Sequence, residues 1–269
     1  MKPTMTNTPA AWIRSIGLIG PGMTDWPACA AILAGDAAWS SERTVLNAPE
    51  ELPPAERRRA VRVVKLALGI GLQATSAAGM DPSELATVFS SSGGDGVNCH
   101  LICETLASDD RQISPTRFHN SVHNAAAGYW SIATGATAPS AVLCAFDGSF
   151  GAGLLEALAQ IRFDGQPCLL LAYDADYPEP LRAARPIPDA FGVALLLTPE
   201  RDAHSCGRLA VNLTDDAADT LADPALDTLR CSIPAARSLP LLAAIAARRS
   251  GRVVLDYLDH ARLAVDYGA

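Results

Sequence analysis

Two kinds of block alternate along this chain: short continuous apolar runs, and longer stretches with apolar residues every three or four positions. The runs Trp12 to Ile19, Ala86 to Ser90, Ala141 to Phe146, Pro167 to Asp174, Phe191 to Leu197, Leu209 to Leu213, Arg252 to Tyr257 and Arg262 to Tyr267 have the length and composition of strands. Pro167 to Asp174 (PCLLLAYD) is apolar almost throughout, so both its faces are expected to be buried. Helical spacing appears over Trp26 to Gly35, Glu56 to Ala78, Asn98 to Ala107, Phe150 to Leu158 and Leu239 to Arg248, with Gly35 as a C-terminal stop. In the second of these, Val61, Val64, Leu68 and Leu72 form the apolar stripe, and Arg57, Arg58, Arg59, Arg62 and Lys65 are expected to be a solvated face. Residues 1–11 are polar and expected to be flexible, 40–56 are turn-rich, 177–188 are a proline-rich loop, and 214–236 give no clear pattern. Strands alternating with helices predict an α/β fold, a mixed or parallel sheet covered by helices on both sides.

Composition narrows the class. A chain of 269 residues that is 49% hydrophobic and 19% charged can bury one large core or two small ones. A net charge of −8 excludes the clustered basic face of a nucleic-acid binder. No apolar stretch is long enough to span a membrane, and a cytoplasmic protein is expected. The seven cysteines are odd in number, lack a CxxC pair and sit mostly in apolar runs, so they read as buried small hydrophobes of a reducing compartment. Cys99, His100 and Cys103 have no second ligand pair at zinc spacing, and no metal is expected. The loop Ser90 to Gly96 follows a strand but lacks the phosphate-binding lysine and any GxGxxG pattern, so no nucleotide or other cofactor is expected.

The stretch PSAVLCAFDGSFGAGLLEA (139–157) carries the chemistry question. A strand ends at Asp147-Gly148-Ser149 and a helix follows, the kind of turn on which many enzymes mount a nucleophile. Three roles are open to Asp147: it caps the helix behind it, it holds a residue of a partner across an interface, or it is a catalytic acid or nucleophile. A stand-alone acyltransferase or hydrolase would have to use Ser149 or Cys144. The frame is poor for that, because Asp147 stands where the first glycine of GxSxG belongs and no histidine segment near the C-terminus completes a triad. Cys144 lies inside the strand run and reads as core, and His119 and His123 read as structural donors.

The segment SPTRFHNSVHNAAAGYWSIATGATAPSAVLCAFDGSFGAGLLEA resembles the nucleophile-bearing part of β-ketoacyl-ACP synthases, the condensing enzymes of the thiolase fold. Ser114-Pro115, Asn124, Ala127-Gly128, Gly135 and Pro139-Ser140 match that family's pattern in order and without a gap. Ile16-Gly17-Leu18-Ile19 with Trp26 and Leu33-Ala34-Gly35 is similar to its first strand and helix, and Asp189 to Leu197 to its glycine-containing strand after the nucleophile helix. The resemblance covers most of residues 12–213. It implies a ketosynthase-like N-terminal domain over 12–213, mainly the N-terminal half of a ketosynthase, with a short C-terminal segment, 214–269, in place of the usual second half.

In this register the catalytic cysteine falls on Asp147. A thiolate is both a strong nucleophile and a good leaving group towards an acyl thioester, whereas a carboxylate would form a mixed anhydride. The two histidine motifs of the family's second half are absent as well. The resemblance therefore implies no catalytic residue and no activity alone. It implies a chain-length-factor subunit, of the shortened type that accompanies ketosynthases of aryl polyene and xanthomonadin-like pigment pathways. Ala236 to Leu242 and Val253 to Leu258 also resemble that subset. The implied partner is an active β-ketoacyl-ACP synthase in a heterodimer, with acyl carrier protein engaged indirectly. Candidate tunnel or interface residues are Phe118, His119, His123, Asn124, Tyr129, Trp130, Phe146, Asp147, Ser149 and Phe150. Asn124 to Trp130 is expected near the interface, and Phe118, Trp130, Phe146 and Phe150 are expected to shape the end of the partner's tunnel.

Overall fold

The computed structural model describes residues 8–269. Its eight strands form one mixed sheet: β1 (Ala10–Ile19), β2 (Ala86–Ser90), β3 (Ser140–Leu143), β4 (Cys168–Asp174), β5 (Phe191–Thr198), β6 (Gly207–Thr214), β7 (Gly251–Leu258) and β8 (Ala261–Gly268). Their spatial order is β3-β2-β4-β5-β1-β6-β8-β7. β2 runs parallel to both β3 and β4, and every other pairing is antiparallel. The sheet is the mixed, helix-covered one that the pattern predicts. Every residue of β4 and β5 is buried. Leu169, Leu171 and Tyr173 point into one core, while Cys168, Leu170 and Ala172 point into the other.

Each face has its own helical layer. On one lies α3 (Arg62–Ala78), with α6 (Ala125–Thr134) packed against it. On the other lie α1 (Trp26–Ala34), α7 (Ser149–Asp164), α9 (Pro224–Ser232) and α10 (Leu239–Ala246). The first helix stops, as the sequence predicts, at Gly35, whose φ of 84° is left-handed; at its start the Asp25 side chain supplies the cap. Three shorter helices, α2 (Pro54–Arg59), α5 (Pro115–His119) and α8 (Leu181–Ala184), lie in connections, and α4 (Gly96–Ala107) follows β2.

Several expectations need correction. The continuous helix over Glu56 to Ala78 is two helices, because Ala60 and Val61 are extended. Asn120 Nδ2 donates to the Arg59 carbonyl at 3.1 Å, satisfying a group that the break leaves free. Arg62 is not part of a solvated face: it pairs with Asp176 at 2.9 Å and Asp189 at 2.6 Å. The Asp189 carboxylate also accepts from the Thr44 amide and hydroxyl, which pins the turn-rich segment to the sheet. The strand read over Ala141 to Phe146 is cut to Ser140–Leu143. Of the segment 1–11 expected to be flexible, residues 1–7 lie outside the described residues, while Ala10 and Ala11 already pair with Ala210 and Leu209. Only Cys29 and Cys168 among the cysteines are buried; Cys99, Cys103, Cys144, Cys206 and Cys231 are exposed. No helix of the described residues is long and apolar enough to cross a membrane.

The C-terminal residues are not an appendage. β8 pairs with β6 over seven residues from Arg208 to Thr214, so β7 and β8 complete the main sheet. The unassigned 214–236 supplies α9 and a clip on the outer edge of β7: the Asp219 amide donates to the Val254 carbonyl at 2.8 Å, and the Val254 amide donates to Asp219 Oδ2 at 2.9 Å. At the other end of the sheet β3 pairs only with β2.

The layers meet most tightly where β1 crosses α3. A Cβ on Gly17 would collide with the Ile70 carbonyl, so only glycine permits this approach. Gly17→Ala is expected to destabilise the fold by about 2–3 kcal/mol, measured as a lower urea midpoint at unchanged slope.

Candidate functional site

The turn after β3 is built by its own backbone. Phe146 has a φ of 49°, left-handed for a residue with a Cβ, and Phe146–Gly148 form one 3-10 turn before α7. Such a conformation costs on the order of 1 kcal/mol and persists only where its surroundings fix it. Ser149 fixes it: its Oγ accepts from the Ala145 amide at 3.0 Å and donates to the Phe146 carbonyl at 2.7 Å. Ser149 is itself buried, and its carbonyl accepts from Ser90 Oγ at 2.6 Å. The hydroxyl is therefore committed to the turn and has no histidine partner, which removes the basis for a serine nucleophile. Cys144 is not core: it is exposed, and its thiol donates to the Ser92 carbonyl at 3.1 Å.

Asp147 does not cap α7. The residue at the cap is Gly148, and no side chain bonds the free amides there. The carboxylate turns sideways into two arginines, Arg185 from the proline-rich loop and Arg237 from the turn before α10. Arg237 Nη2 donates to Asp147 Oδ2 at 3.3 Å. The Arg185 guanidinium also stacks 4.0 Å over the Phe146 ring, so one cation holds both the carboxylate and the strained residue before it. A carboxylate held this way is a poor nucleophile: its charge is drawn onto two cations.

Behind the turn a second carboxylate organises the site. Asp174, at the end of β4, is buried. Its Oδ1 accepts from the Ser92 amide at 2.8 Å and the Ser92 hydroxyl at 2.6 Å, and its Oδ2 accepts from the Ala235 amide at 2.9 Å. It thus ties the loop after β2 to the turn that carries Arg237. Burial pushes its carboxyl up to about 6, against the opposing pull of these donors and of the Arg185 charge.

The other predicted residues divide by burial. Tyr129, Trp130 and Phe150 are core, each about 1% exposed. Trp130 sits edge-on to Phe89 with centroids 6.3 Å apart. None of these three can be a surface contact. Phe118 and Phe146 are 69% and 63% exposed. His119 lies edge-on to Tyr129 at 5.8 Å, and His123 Nε2 lies 3.3 Å from the Ser91 carbonyl, so both have structural neighbours near the turn. Asn124 is exposed at the start of α6 and makes no capping bond. Phe118, Val122 and Ile132 are exposed apolar side chains around a groove of about 430 Å3 that also includes His119, Asn124 and Gly128. Val142 of the edge strand β3 packs on the same core, and so on the same face of the sheet, as Trp130 of α6. Among the described residues no cluster of three or more histidine, cysteine or acidic side chains could hold a metal.

Arg185, Arg237 and Asp174 are missing from the residues predicted to matter. Each left a trace: a charge just before the first proline of ARPIP, a lone arginine in the apolar run IPAARSLPLL, and an aspartate closing the apolar run PCLLLAYD.

Comparison with known proteins bears on the family and the fold. Residues 26–255 match the family model described as β-ketoacyl synthase, N-terminal domain. No curated protein sequence matches the chain. A chain from the complex of a ketosynthase with its chain length factor from Xenorhabdus doucetiae superposes with a TM-score of 0.72 at 24% identity, over 96% of this chain and 99% of that one. A chain of the ishigamide ketosynthase/chain length factor gives 0.72 at 15% identity, over 96% and 99%. A ketosynthase from module 1 of the bacillaene synthase of Bacillus amyloliquefaciens gives 0.58 at 14% identity, over 79% of this chain but 47% of its own length.

Because the Asp174 value is raised on folding, its stability contribution is fully present below about pH 4 and is lost as the pH rises through about 6. Between pH 4 and 7 the wild-type chain is expected to lose about 2–3 kcal/mol relative to Asp174→Asn, checked by urea unfolding of both at each pH.

Proposed function

The chain belongs to the β-ketoacyl synthase family through its N-terminal domain, and from that premise we propose that it is a non-catalytic, chain-length-factor subunit. In this reading it pairs with an active β-ketoacyl-ACP synthase and shapes the partner's acyl tunnel in an aryl-polyene type of type II pathway. Acyl carrier protein reaches it only through that complex. Residues 12–213 act as the ketosynthase-like domain, and 214–269 stand in for the second half.

The observation that carries this proposal is Asp147 between Arg185 and Arg237 at the position where the family has its cysteine. A condensing enzyme needs a thiolate there, and a carboxylate neutralised by two guanidiniums supplies neither attack nor a leaving group. Structural likeness supports the same reading: chains from two ketosynthase–chain length factor complexes superpose with a TM-score of 0.72, and the modular ketosynthase with 0.58. The open edge of β3 and the groove around Phe118, Val122 and Ile132 suit a partner that adds to the sheet and covers apolar side chains.

Co-expression with the cognate ketosynthase tests the pairing: the two are expected to co-elute, and malonyl-ACP condensation is expected only when both are present. Separate elution, or condensation by this chain alone, would sink the proposal. A Val122→Asp/Ile132→Asp double variant is expected to weaken pairing at least about tenfold while leaving the isolated chain's stability within about 0.5 kcal/mol. Phe118→Ala is expected to shift the product distribution of the complex towards longer acyl chains, read by mass spectrometry of carrier-bound products.

A further inference from the structure

We propose that the cavity beside Asp147 is a binding site for a small carboxylic acid anion, held by Arg185 and Arg237 in competition with Asp147. The cavity measures about 300 Å3 and is lined by Asp147, Arg185, Ile187, Ser232, Pro234 and Arg237. That volume accepts a molecule of the size of malonate or butyrate. The lining is mainly polar, because Ile187 and Pro234 are themselves buried, and the two guanidiniums face the ligand's charged end.

The donors at this site exceed what Asp147 uses. A guanidinium presents a fork of N–H groups matched to a planar carboxylate. Arg237 spends one hydrogen bond on Asp147, and a long one at 3.3 Å. Arg185 Nη2 is spent on Asp147 Oδ1, and neither of these two atoms reaches solvent. The other guanidinium N–H groups of Arg185 and Arg237 make no hydrogen bond within the described residues, so they are the donors open to an incoming carboxylate. Both arginine side chains are only about a fifth exposed, so water screens them weakly.

The surrounding acids do not consume these donors. Asp174 attracts Arg185 through space, but its oxygens are filled by Ser91, Ser92 and Ala235. On the far side of Asp147 a second cavity contains Asp256, Asp259, His260 and Arg262. Asp256 there is held by Arg230 at 2.5 Å and Arg262 at 3.6 Å. Asp147 is then an internal stand-in for the ligand: its own carboxylate occupies part of a site with capacity for another. Asp147 itself shows that a carboxylate seats on these guanidiniums; phosphate, which guanidiniums also bind through two N–H groups, is the competing anion in the test.

The test is calorimetric titration at constant ionic strength with malonate, butyrate and inorganic phosphate, on the isolated chain and on its complex with the ketosynthase. Saturable binding of a carboxylate is expected. Asp147→Asn should tighten it about tenfold by freeing the fork, and Arg237→Gln should abolish it. Arg237→Lys keeps the charge but not the fork, and should bind at least about tenfold more weakly; this variant serves if the glutamine form does not fold. No binding by wild type and Asp147→Asn, or equal responses to all three anions, overturns the proposal. The result is independent of pairing, because the isolated chain carries the whole cavity and co-elution is a separate readout.

Discussion

Burying both faces of β4 and β5 is the constraint on which the rest of the structure depends. A strand with apolar side chains on both sides needs a helical layer above and another below. That demand recruits α3 and α6 to one face and α1, α7, α9 and α10 to the other. It also fixes where polar chemistry can occur. Asp174 ends β4, and everything polar at the site is arranged around that end: the serine loop after β2, the proline-rich loop that brings Arg185, and the turn that brings Arg237. The site lies where the apolar strand stops.

The same constraint explains the unusual turn. With β3 at the edge and α7 under β2 and β4, the chain must reverse within a few residues between them. Phe146 takes a left-handed conformation to do so, and Ser149 and Arg185 hold it there. The reversal presents a carboxylate that two arginines meet from two directions, so its charge is absorbed into structure.

Much of this was legible in the sequence, and the failures have a common cause. PCLLLAYD read correctly as a strand buried on both faces, because burial on two sides removes polar positions from the pattern. The run from Ser114 to Ala157 carried the family resemblance through particular residues kept in order and spacing. Glu56 to Ala78 failed because local periodicity does not see long-range ion pairs, and Arg62 belongs to Asp176 and Asp189, more than a hundred residues away. Asp147 was visible as an anomaly, but its two partners were not. Helix caps are local and can be read from neighbours; the arginines that hold Asp147 come from two separate loops. Cys144 misled for a related reason: it belongs to an apolar run, yet lies just past the end of the edge strand β3, where it is exposed.

The clip that Asp219 places on β7 bears on how copies of this molecule can associate. A sheet with two open edges can add strands at both and grow without limit, as a filament does. Among the described residues, one edge has its amide and carbonyl at Val254 taken by its own chain, and the other, β3, carries no such clip. The two edges are therefore unequal: a strand arriving at β7 must displace or avoid the clip, while one arriving at β3 meets unpaired backbone groups, and association through the sheet is directed to that seam.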